Sequence, residues 1–504
     1  MRLAPYASDP LPNPAAGDRT LDEILAANAD RAPDARALHA PELGFEPSWR
    51  EVDRAVSALA ETFAGWSLGE DAVVGVQLGS SPHAAIACLA LRRAGLVPAM
   101  LPLAWRRREV GAALASVGAT AIVAAAGGGG GAPAETGCEV AAGLDTIRFV
   151  GCFGEPLPDG ATPLDDALDR PAKRFVRPDR PEDAADHVAV VTFDAGGTPV
   201  ARSHNDVSAL GLAPILASRL STQSALLSTL DLAGLAGLAT GLAPWLLSGC
   251  AASFHAVSST GTLRDTVEAL DATHIVLPGR AAATILAELG LGERRLTATA
   301  LWRAPDGRGP AADLAGAAAI VDAFAFGEVG LYAAARAARE RHAALPVGAA
   351  SPAEGVDPLI EFKVSAEGRL LLRGPACPQA PCPANPMAPP LAFDPDGYVE
   401  TGFAAVADRA ARRVSLGGRR RGVAQIGGLA LSLADVETAW KRSGVRGAPA
   451  LVDDPLFGAR LELSAGAEDD DAAAAATLET AGFGPATAPR RPASRSDETT
   501  LRSA

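Results

Sequence analysis

Residues 72–101 read AVVGVQLGSSPHAAIACLALRRAGLVPAML, which combines a strand pattern, a helix pattern and a second strand pattern in succession. Ala72–Leu78 is short and rich in valine, which favours a buried strand. Ser81–Ala94 has the length of a helix and stops before Gly95, a residue that commonly follows a helix C-terminus. Val97–Leu101 is again a short apolar run. Because a strand, a crossover helix and a parallel strand form one βαβ unit, this stretch predicts a largely parallel sheet covered by helices.

The same alternation continues on both sides of this unit. Further helix and strand patterns follow at Thr20–Ala32, Trp49–Phe63, Arg108–Val117, Ala119–Ala124, Ile275–Leu277 and Ala317–Val321. In the first of them, Thr20 is followed three residues later by Glu23, which is the pattern of a capping box at a helix N-terminus. This alternation of helices and strands along the chain predicts an α/β fold.

The charge balance excludes whole classes of function. The chain has 504 residues, with 59 Asp and Glu against 45 Lys and Arg, and a formal charge of −14. A surface of that sign repels nucleic-acid phosphates and anionic lipids, so a nucleic-acid binder or a membrane-surface protein is not expected. Arginine supplies almost all the positive charge, since the lysines are only Lys173, Lys363 and Lys441. Chemistry that depends on lysine therefore has few residues to draw on.

One uncharged run, Leu232–Phe254, is 23 residues long, which is enough to cross a bilayer. It contains four glycines and Pro244, so we predict instead a helix and a strand buried in an α/β core. The N-terminus, MRLAPYASDP, has no basic region followed by an apolar run, so a cytoplasmic location is expected. The six cysteines lack zinc-site spacing and are expected to be reduced thiols.

The best candidate for a phosphate-binding loop is the segment VVTFDAGGTPVARSH, residues 190–204. An apolar strand runs into glycines and a polar pair, and backbone amides at such a turn can hold phosphate oxygens. A tight turn explains the same residues equally well, so the segment alone leaves both interpretations open.

Further motifs occur in order at Arg19–Ile24, Ala37–His39, Val76–Pro82, Arg93–Pro98, Asp322–Gly330, Gly397–Gly402, Gly418–Gly428 and Leu431–Glu437. Together with the loop they resemble the ANL superfamily of adenylate-forming enzymes, which includes acyl-CoA synthetases, adenylation domains of peptide synthetases, and luciferases. The resemblance implies a large N-terminal domain of mixed and parallel sheets packed by helices, AMP-binding-like, over residues 1–420. A small α+β C-terminal domain, shortened and mobile, is implied over residues 421–504.

The resemblance also implies an activity. Enzymes of this kind are ligases that use ATP and Mg²⁺ to adenylate a small carboxylic acid, and acyl-CoA synthetases then transfer the acyl group to coenzyme A (CoA). By position, the nucleotide contacts implied are Gly196, Gly197, Thr198, Gly307, Phe324, Thr401 and Arg419. Glu328 matches the carboxylate associated with Mg²⁺ and is the candidate catalytic and metal residue. Arg421 matches the hinge, and Arg495 is the candidate stand-in for the catalytic C-terminal lysine.

Several departures from the family pattern fall on the chemistry. The hydroxyl positions of the loop hold Phe193, Asp194 and Ala195, and its lysine position holds Val200. Elsewhere the family's threonine before the glutamate is Gly327, its ribose-binding aspartate is Phe403, and a lysine after the hinge is Gln425. Each missing group that stabilises charge costs about 10²–10³ in rate.

Two readings follow, and the sequence leaves both open. In the first, the chain is an acyl-CoA synthetase-like protein, that is, an AMP-forming acid–thiol ligase whose ATP-dependent reaction is weakened or lost. In the second, it is a catalytically inactive binding or regulatory protein of the same fold, a pseudoenzyme that acts as a homodimer or with a partner enzyme.

Overall fold

The structure is a computed structural model, and it describes residues 1–3, 6, 9–43, 47–169, 178–256, 260–291, 296–303, 314, 317–337, 340, 342–383, 391–418, 420–454, 457–464 and 470–490. Gly307, Arg419 and Arg495, three of the candidate site residues, lie outside these ranges.

The first sheet is built from β1 (Val73–Gln77), β2 (Val97–Met100), β3 (Ala121–Ala125), β4 (Phe149–Phe153), β5 (Thr162–Pro163), β6 (Val188–Phe193) and β7 (Pro199–Ser203). Its order is β5-β4-β3-β1-β2-β6-β7, and all neighbours are parallel except β6 and β7, which form an antiparallel hairpin. The helices in this part are α1 (Leu21–Arg31), α2 (Trp49–Gly65), α3 (Pro82–Arg93), α4 (Arg107–Ser116), α5 (Pro133–Gly143) and α6 (Asp165–Asp169). The βαβ unit predicted from residues 72–101 is β1, α3 and β2, which confirms that prediction.

The second sheet is built from β8 (Ala225–Ser228), β9 (Ala251–Phe254), β10 (His274–Pro278), β11 (Leu296–Trp302), β12 (Ala317–Ala325) and β13 (Leu331–Ala335). Its order is β13-β12-β11-β10-β8-β9, and only the pairing of β12 with β13 is antiparallel. The helices here are α7 (His204–Ser218), α8 (Leu235–Gly237), the π-helical turn Leu238–Leu242, α9 (Ala243–Ser248), α10 (Thr260–Leu270) and α11 (Gly279–Leu289). Because parallel strands end at the same edge of a sheet, the residues that follow β8, β11 and β12 lie along one edge, where α/β proteins usually bind ligands.

The third sheet is antiparallel, with β14 (Leu345–Pro346), β15 (Gly348–Ala350), β16 (Ile360–Val364), β17 (Arg369–Arg373), β18 (Val399–Asp408) and β19 (Arg413–Leu416) in the order β14-β19-β18-β17-β16-β15. After it come β20 (Val423–Ile426), β21 (Leu429–Ser432), α12 (Leu433–Ser443), β22 (Pro449–Asp454), β23 (Gly458–Leu463) and α13 (Asp471–Thr480). These last elements share a hydrophobic core around the fully buried Trp440. That separate core agrees with a small α+β C-terminal domain, although the boundary at residue 421 stays a prediction.

Two local expectations are confirmed. Thr20 caps α1 together with Glu23 in a capping box. The uncharged run Leu232–Phe254 forms α8, the π-helical turn, α9 and β9, and its Trp245 is completely buried. Within the described ranges, we find no helix with both the length and the apolar character that crossing a membrane requires.

Candidate functional site

The candidate phosphate loop is the connection between β6 and β7, and it is tight. Residues Ala195–Gly197 form a single 3-10 turn in which Gly196 and Gly197 have φ of +74° and +70°. The Asp194 amide donates to the carbonyl of Thr198 at 2.8 Å, and the Gly197 amide donates to the carbonyl of Asp194 at 3.1 Å. Two backbone amides of the loop are therefore used to close the turn itself.

Asp194, at the start of this turn, forms a two-pronged ion pair with Arg420. Nη1 and Nη2 of Arg420 donate to Oδ1 and Oδ2 of Asp194 at 2.6 and 2.5 Å. Nε of Arg420 donates to the carbonyl of Thr401 at 2.7 Å, so the guanidinium is held on two sides. The side chains are 5% and 10% exposed, which makes this a nearly buried pair. Arginine suits such a site because its planar fork matches a carboxylate.

Two glycines make room for this arginine. A Cβ atom on Gly327 would lie 2.7 Å from Nη1 of Arg420 and 3.0 Å from Oδ1 of Asp194. A Cβ atom on Gly402 would lie 3.0 Å from Cγ of Arg420. Gly327 is the position where the resemblance expects threonine. A threonine side chain at this position would need space that the ion pair now fills.

Glu328 is buried and already bonded to protein groups. Its Oε2 accepts hydrogen bonds from the hydroxyl of Thr192 at 2.7 Å and from the amide of Leu235 at 2.8 Å. The fully buried Arg202 places Nη1 3.8 Å from the same oxygen and donates to the Glu328 carbonyl through Nη2. Burial raises the pKa of Glu328, and the Arg202 charge and the Thr192 hydrogen bond oppose that rise.

This environment does not fit a magnesium site. Magnesium prefers several oxygen ligands in octahedral geometry, whereas Glu328 faces an arginine and gives one oxygen to two hydrogen bonds. Among the described residues, no group of three or more His, Cys, Asp or Glu side chains is placed to hold a metal ion. The magnesium role of Glu328 therefore rests on the resemblance alone and stays a prediction.

The edge of the second sheet brings two further charged residues into the site. Arg303 directly follows β11, and Asp231 lies three residues after β8. Oδ1 of Asp231 accepts from the amide of Ala233 at 2.9 Å, and burial raises the pKa of Asp231. Burial lowers the pKa of Arg303, opposed by the nearby carboxylates of Glu328, Asp231 and Asp194. The site therefore contains three arginines and three carboxylates in close proximity.

The remaining nucleotide candidates are enclosed in the protein. Phe324 is 1% exposed, and its ring stacks on Tyr332 with centroids 6.4 Å apart. The hydroxyl of the buried Thr401 donates to the carbonyl of Leu370 at 2.9 Å. Phe403 is buried against Phe326, with ring centroids 6.0 Å apart. The position expected to bind ribose thus belongs to an aromatic core.

The C-terminal domain lies directly over the site. A Cβ atom on Gly196 of the turn would lie 3.3 Å from Oδ2 of Asp435, a residue in the first turn of α12. Gly428, between β20 and β21, approaches Arg303 so closely that a Cβ atom on it would lie 3.5 Å from Nε. The exposed Arg421, the candidate hinge, donates its amide to the carbonyl of Gly402 at 2.9 Å.

A second contact between the two parts of the chain lies at the start of α4. Oε1 of Glu109 accepts from the amide of Gly484 at 2.8 Å and from the hydroxyl of Thr487 at 3.1 Å. The amide of Arg108 donates to the carbonyl of Gly482 at 2.9 Å. The sequence did not identify Glu109 or Arg420 as site residues. For Arg420, the signals in the sequence were an aspartate in the candidate phosphate loop and a run of arginines more than 200 residues later.

Comparison with known proteins agrees with this architecture. The model of a family described as AMP-binding enzyme matches residues 25–376, which is more than half of the chain. The chain therefore belongs to the AMP-binding enzyme family, and its fold is that of the adenylate-forming ANL superfamily. No curated protein matches the sequence.

Solved structures of the same fold have low sequence identity to the chain. An artificially fused adenylation–PCP di-domain from Klebsiella oxytoca is 19% identical, with a TM-score of 0.69, over 95% of this chain and 87% of the other. The amide bond synthetase McbA from Marinactinospora thermotolerans is 16% identical, with a TM-score of 0.70, over 96% and 99%. ATP-bound MatB from Rhodopseudomonas palustris is 17% identical, with a TM-score of 0.60, over 94% of each chain. These likenesses establish the fold.

Proposed function

We propose that this chain is a catalytically inactive member of the AMP-binding enzyme family, one that keeps the ligand-binding fold but does not carry out ordinary ATP-dependent adenylation. The observation that carries the proposal is the ion pair between Asp194 and Arg420 in the candidate phosphate loop. In this role the protein binds a small organic acid and acts in the cytoplasm as a binding or regulatory protein, as a homodimer or beside a partner enzyme.

Charge balance supports the proposal. The cations Arg420 and Arg202 already face the carboxylates of Asp194 and Glu328, so neither charge is available to a triphosphate while these contacts persist. Binding ATP at the turn would require breaking the ion pair of Asp194 with Arg420 and would place phosphate next to an aspartate. Breaking a buried pair by removing one partner typically costs about 3–5 kcal/mol. A nucleotide would have to offset that cost before it gained any affinity.

A second candidate function is a slow acid–thiol ligase that uses ATP, Mg²⁺ and CoA. It is favoured by one observation: the glycines of the turn adopt positive φ, and Arg420 stands beside them as a cation. If ATP displaced Asp194 from Arg420, the freed guanidinium would become a phosphate ligand. The ligase function requires Arg420 to exchange Asp194 for a phosphate group, whereas the inactive protein keeps the ion pair between Asp194 and Arg420 intact.

Thermal unfolding of the purified chain with Mg-ATP, AMP and CoA, each titrated separately, distinguishes the two functions. A ligand at about 100 times its Kd stabilises a protein by about 2.7 kcal/mol, which appears as a clear rise in Tm. We expect no rise with Mg-ATP for the wild-type chain. A rise, accompanied by acid-dependent release of pyrophosphate, would overturn the proposal in favour of the ligase.

A variant series sharpens this experiment. In Asp194→Ser, Arg420 loses its carboxylate partner, and we expect Mg-ATP to raise the Tm of this variant although it leaves the wild type unchanged. The matched control is Asp34→Ser, which breaks an exposed ion pair with Arg50 at 3.3 Å, between α1 and the start of α2. An equal response of both variants to Mg-ATP would show that the effect does not come from the loop.

A further inference from the structure

Arg303 differs from the other two arginines of the site. Arg420 is bonded to Asp194 and Thr401, and Arg202 is bonded to Thr192 and Glu328. In contrast, no hydrogen bond or ion pair joins the guanidinium of Arg303 to another residue within the described part of the chain. A fully buried arginine is normally paired, because an uncompensated charge in the interior is costly, whereas the half-buried Arg303 keeps its charge available to a ligand.

Arg303 lies at the edge of the second sheet where ligands usually bind in α/β proteins. It lies at the carboxyl end of β11, between the ends of β12 and β10, on the edge where α/β sheets usually bind ligands. It is partly buried, so it keeps access to solvent. Gly428 approaches it from the C-terminal domain, and a Cβ atom on this glycine would lie 3.5 Å from Nε of Arg303.

The carboxylates around Arg303 have other partners. Asp194 is neutralised by Arg420, and Glu328 has Thr192, Arg202 and the Leu235 amide. Asp231 accepts from the amide of Ala233, and among the described residues no ion pair joins it directly to Arg303, although the two charges lie near each other. An arginine fork without a carboxylate of its own matches the shape and charge of an incoming carboxylate.

We propose that Arg303 is the anchor for the carboxylate group of a small organic acid, which binds in this cleft without a nucleotide. This inference rests on the proposed function, because it names the side chain by which a chain that does not adenylate would still recognise an acid. Lysine cannot take the role within the described residues, since Lys363 and Lys441 lie on the surface and are paired with Asp396 and Glu437.

The test uses the full-length chain and two carboxylates of different size, acetate and benzoate, against the neutral acetamide and benzamide. Tm is measured at constant ionic strength with chloride as the balancing anion and no nucleotide present. We expect at least one carboxylate to raise the Tm of the wild type above its matched amide. In Arg303→Gln the rise should vanish, with affinity reduced about tenfold or more, as the loss of a charged hydrogen-bond donor predicts. Arg369→Gln, on the exposed face of the third sheet, is the control and should respond like the wild type.

A second variant keeps the proposal testable if Arg303→Gln does not fold. Asp231→Asn retains an oxygen for the Ala233 amide but removes a negative charge near Arg303, so we expect tighter carboxylate binding than in the wild type. The proposal is overturned if neither carboxylate stabilises the wild type more than its amide, if Arg303→Gln responds fully, or if Asp231→Asn binds no better. Mg-ATP in a separate titration tests the proposed function independently, since a Tm rise accompanied by acid-dependent release of pyrophosphate contradicts inactivity and leaves the nucleotide-free result for Arg303 intact.

Discussion

Asp194 and Arg420 are separated by 226 positions in the sequence, yet both carboxylate oxygens of Asp194 accept hydrogen bonds from the guanidinium of Arg420. The pair joins the turn after β6 to the residue directly before the candidate hinge, Arg421. It therefore ties the candidate phosphate loop to the base of the C-terminal domain.

Removing one partner of this pair should destabilise the chain strongly. Asp194→Ala leaves a nearly buried guanidinium without its carboxylate, and we expect the free energy of unfolding to fall by about 3–5 kcal/mol. Urea titration followed by fluorescence measures it. Glu400→Ala, in the exposed pair with Arg369, should cost at most about 1 kcal/mol. Equal losses in the two variants would contradict the assignment of Asp194 to a buried pair.

Restoring the family's threonine at position 327 should be harmful rather than beneficial. In Gly327→Thr the new Cβ lies 2.7 Å from Nη1 of Arg420, and φ is +60° there. Gly355→Thr is the matched control, because its φ is +77° and nothing lies within 4 Å of its Cβ position. We expect Gly327→Thr to lose about 1–3 kcal/mol more than the control, the usual cost of overpacking. Adding Arg420→Ala should remove that excess, and a double-mutant cycle without coupling would rule out the clash.

A buried aspartate at the start of α7 should make stability depend on pH. Burial raises the pKa of Asp206 to about 7, although the amide and hydroxyl of Ser203 oppose the rise. Between about pH 4, the ordinary value for aspartate, and pH 7, the folded chain holds a proton that the unfolded chain has lost. The free energy of unfolding contributed by this group therefore falls as pH rises through that window and is constant above it.

Comparison with Asp206→Asn isolates this contribution, because the other titrating groups are shared. In urea titrations at pH 5 and pH 8, the wild type should lose stability relative to the variant on going to the higher pH. A difference between the two proteins that does not change with pH, or that changes in the opposite direction, would show that Asp206 is ionised in the folded chain throughout.

The contact at Glu109 should control the mobility of the C-terminal segment. Glu109→Ala removes the acceptor of the Gly484 amide and of the Thr487 hydroxyl. We expect faster hydrogen exchange in residues 481–490, with exchange in the first sheet unchanged. Glu61→Ala, on the exposed side of α2, is the control and should leave this segment as it is in the wild type. Unaltered exchange in Glu109→Ala would mean that other contacts hold the segment.

The fold was predictable because its signals are local. The strand and helix patterns of residues 72–101, the capping box at Thr20 and the buried run at Leu232–Phe254 each depend on neighbours in the sequence. The family motifs added the order of the domains. Such signals do not depend on which residues meet in three dimensions.

The site was predictable only in part. Asp194 stood out as a carboxylate in a phosphate loop, but the run Arg419–Arg421 gave no means of choosing its partner, and the resemblance pointed to Arg419 and Arg421 instead. The partners of Glu328 include the backbone amide of Leu235, which leaves no trace in a side-chain pattern. The roles suggested for Gly307, Arg419 and Arg495 fall outside the described residues and stay predictions.

The crowding around Arg420 also bears on how this loop can evolve. A change of Gly327 toward threonine is obstructed while Arg420 is present, and a change of Arg420 alone leaves Asp194 as a buried, unpaired charge. At positions 194, 327 and 420, each single substitution toward the residues typical of the family therefore gives a less stable chain. Substitutions at these positions are therefore epistatic: the effect of each one on stability depends on which of the others has already occurred.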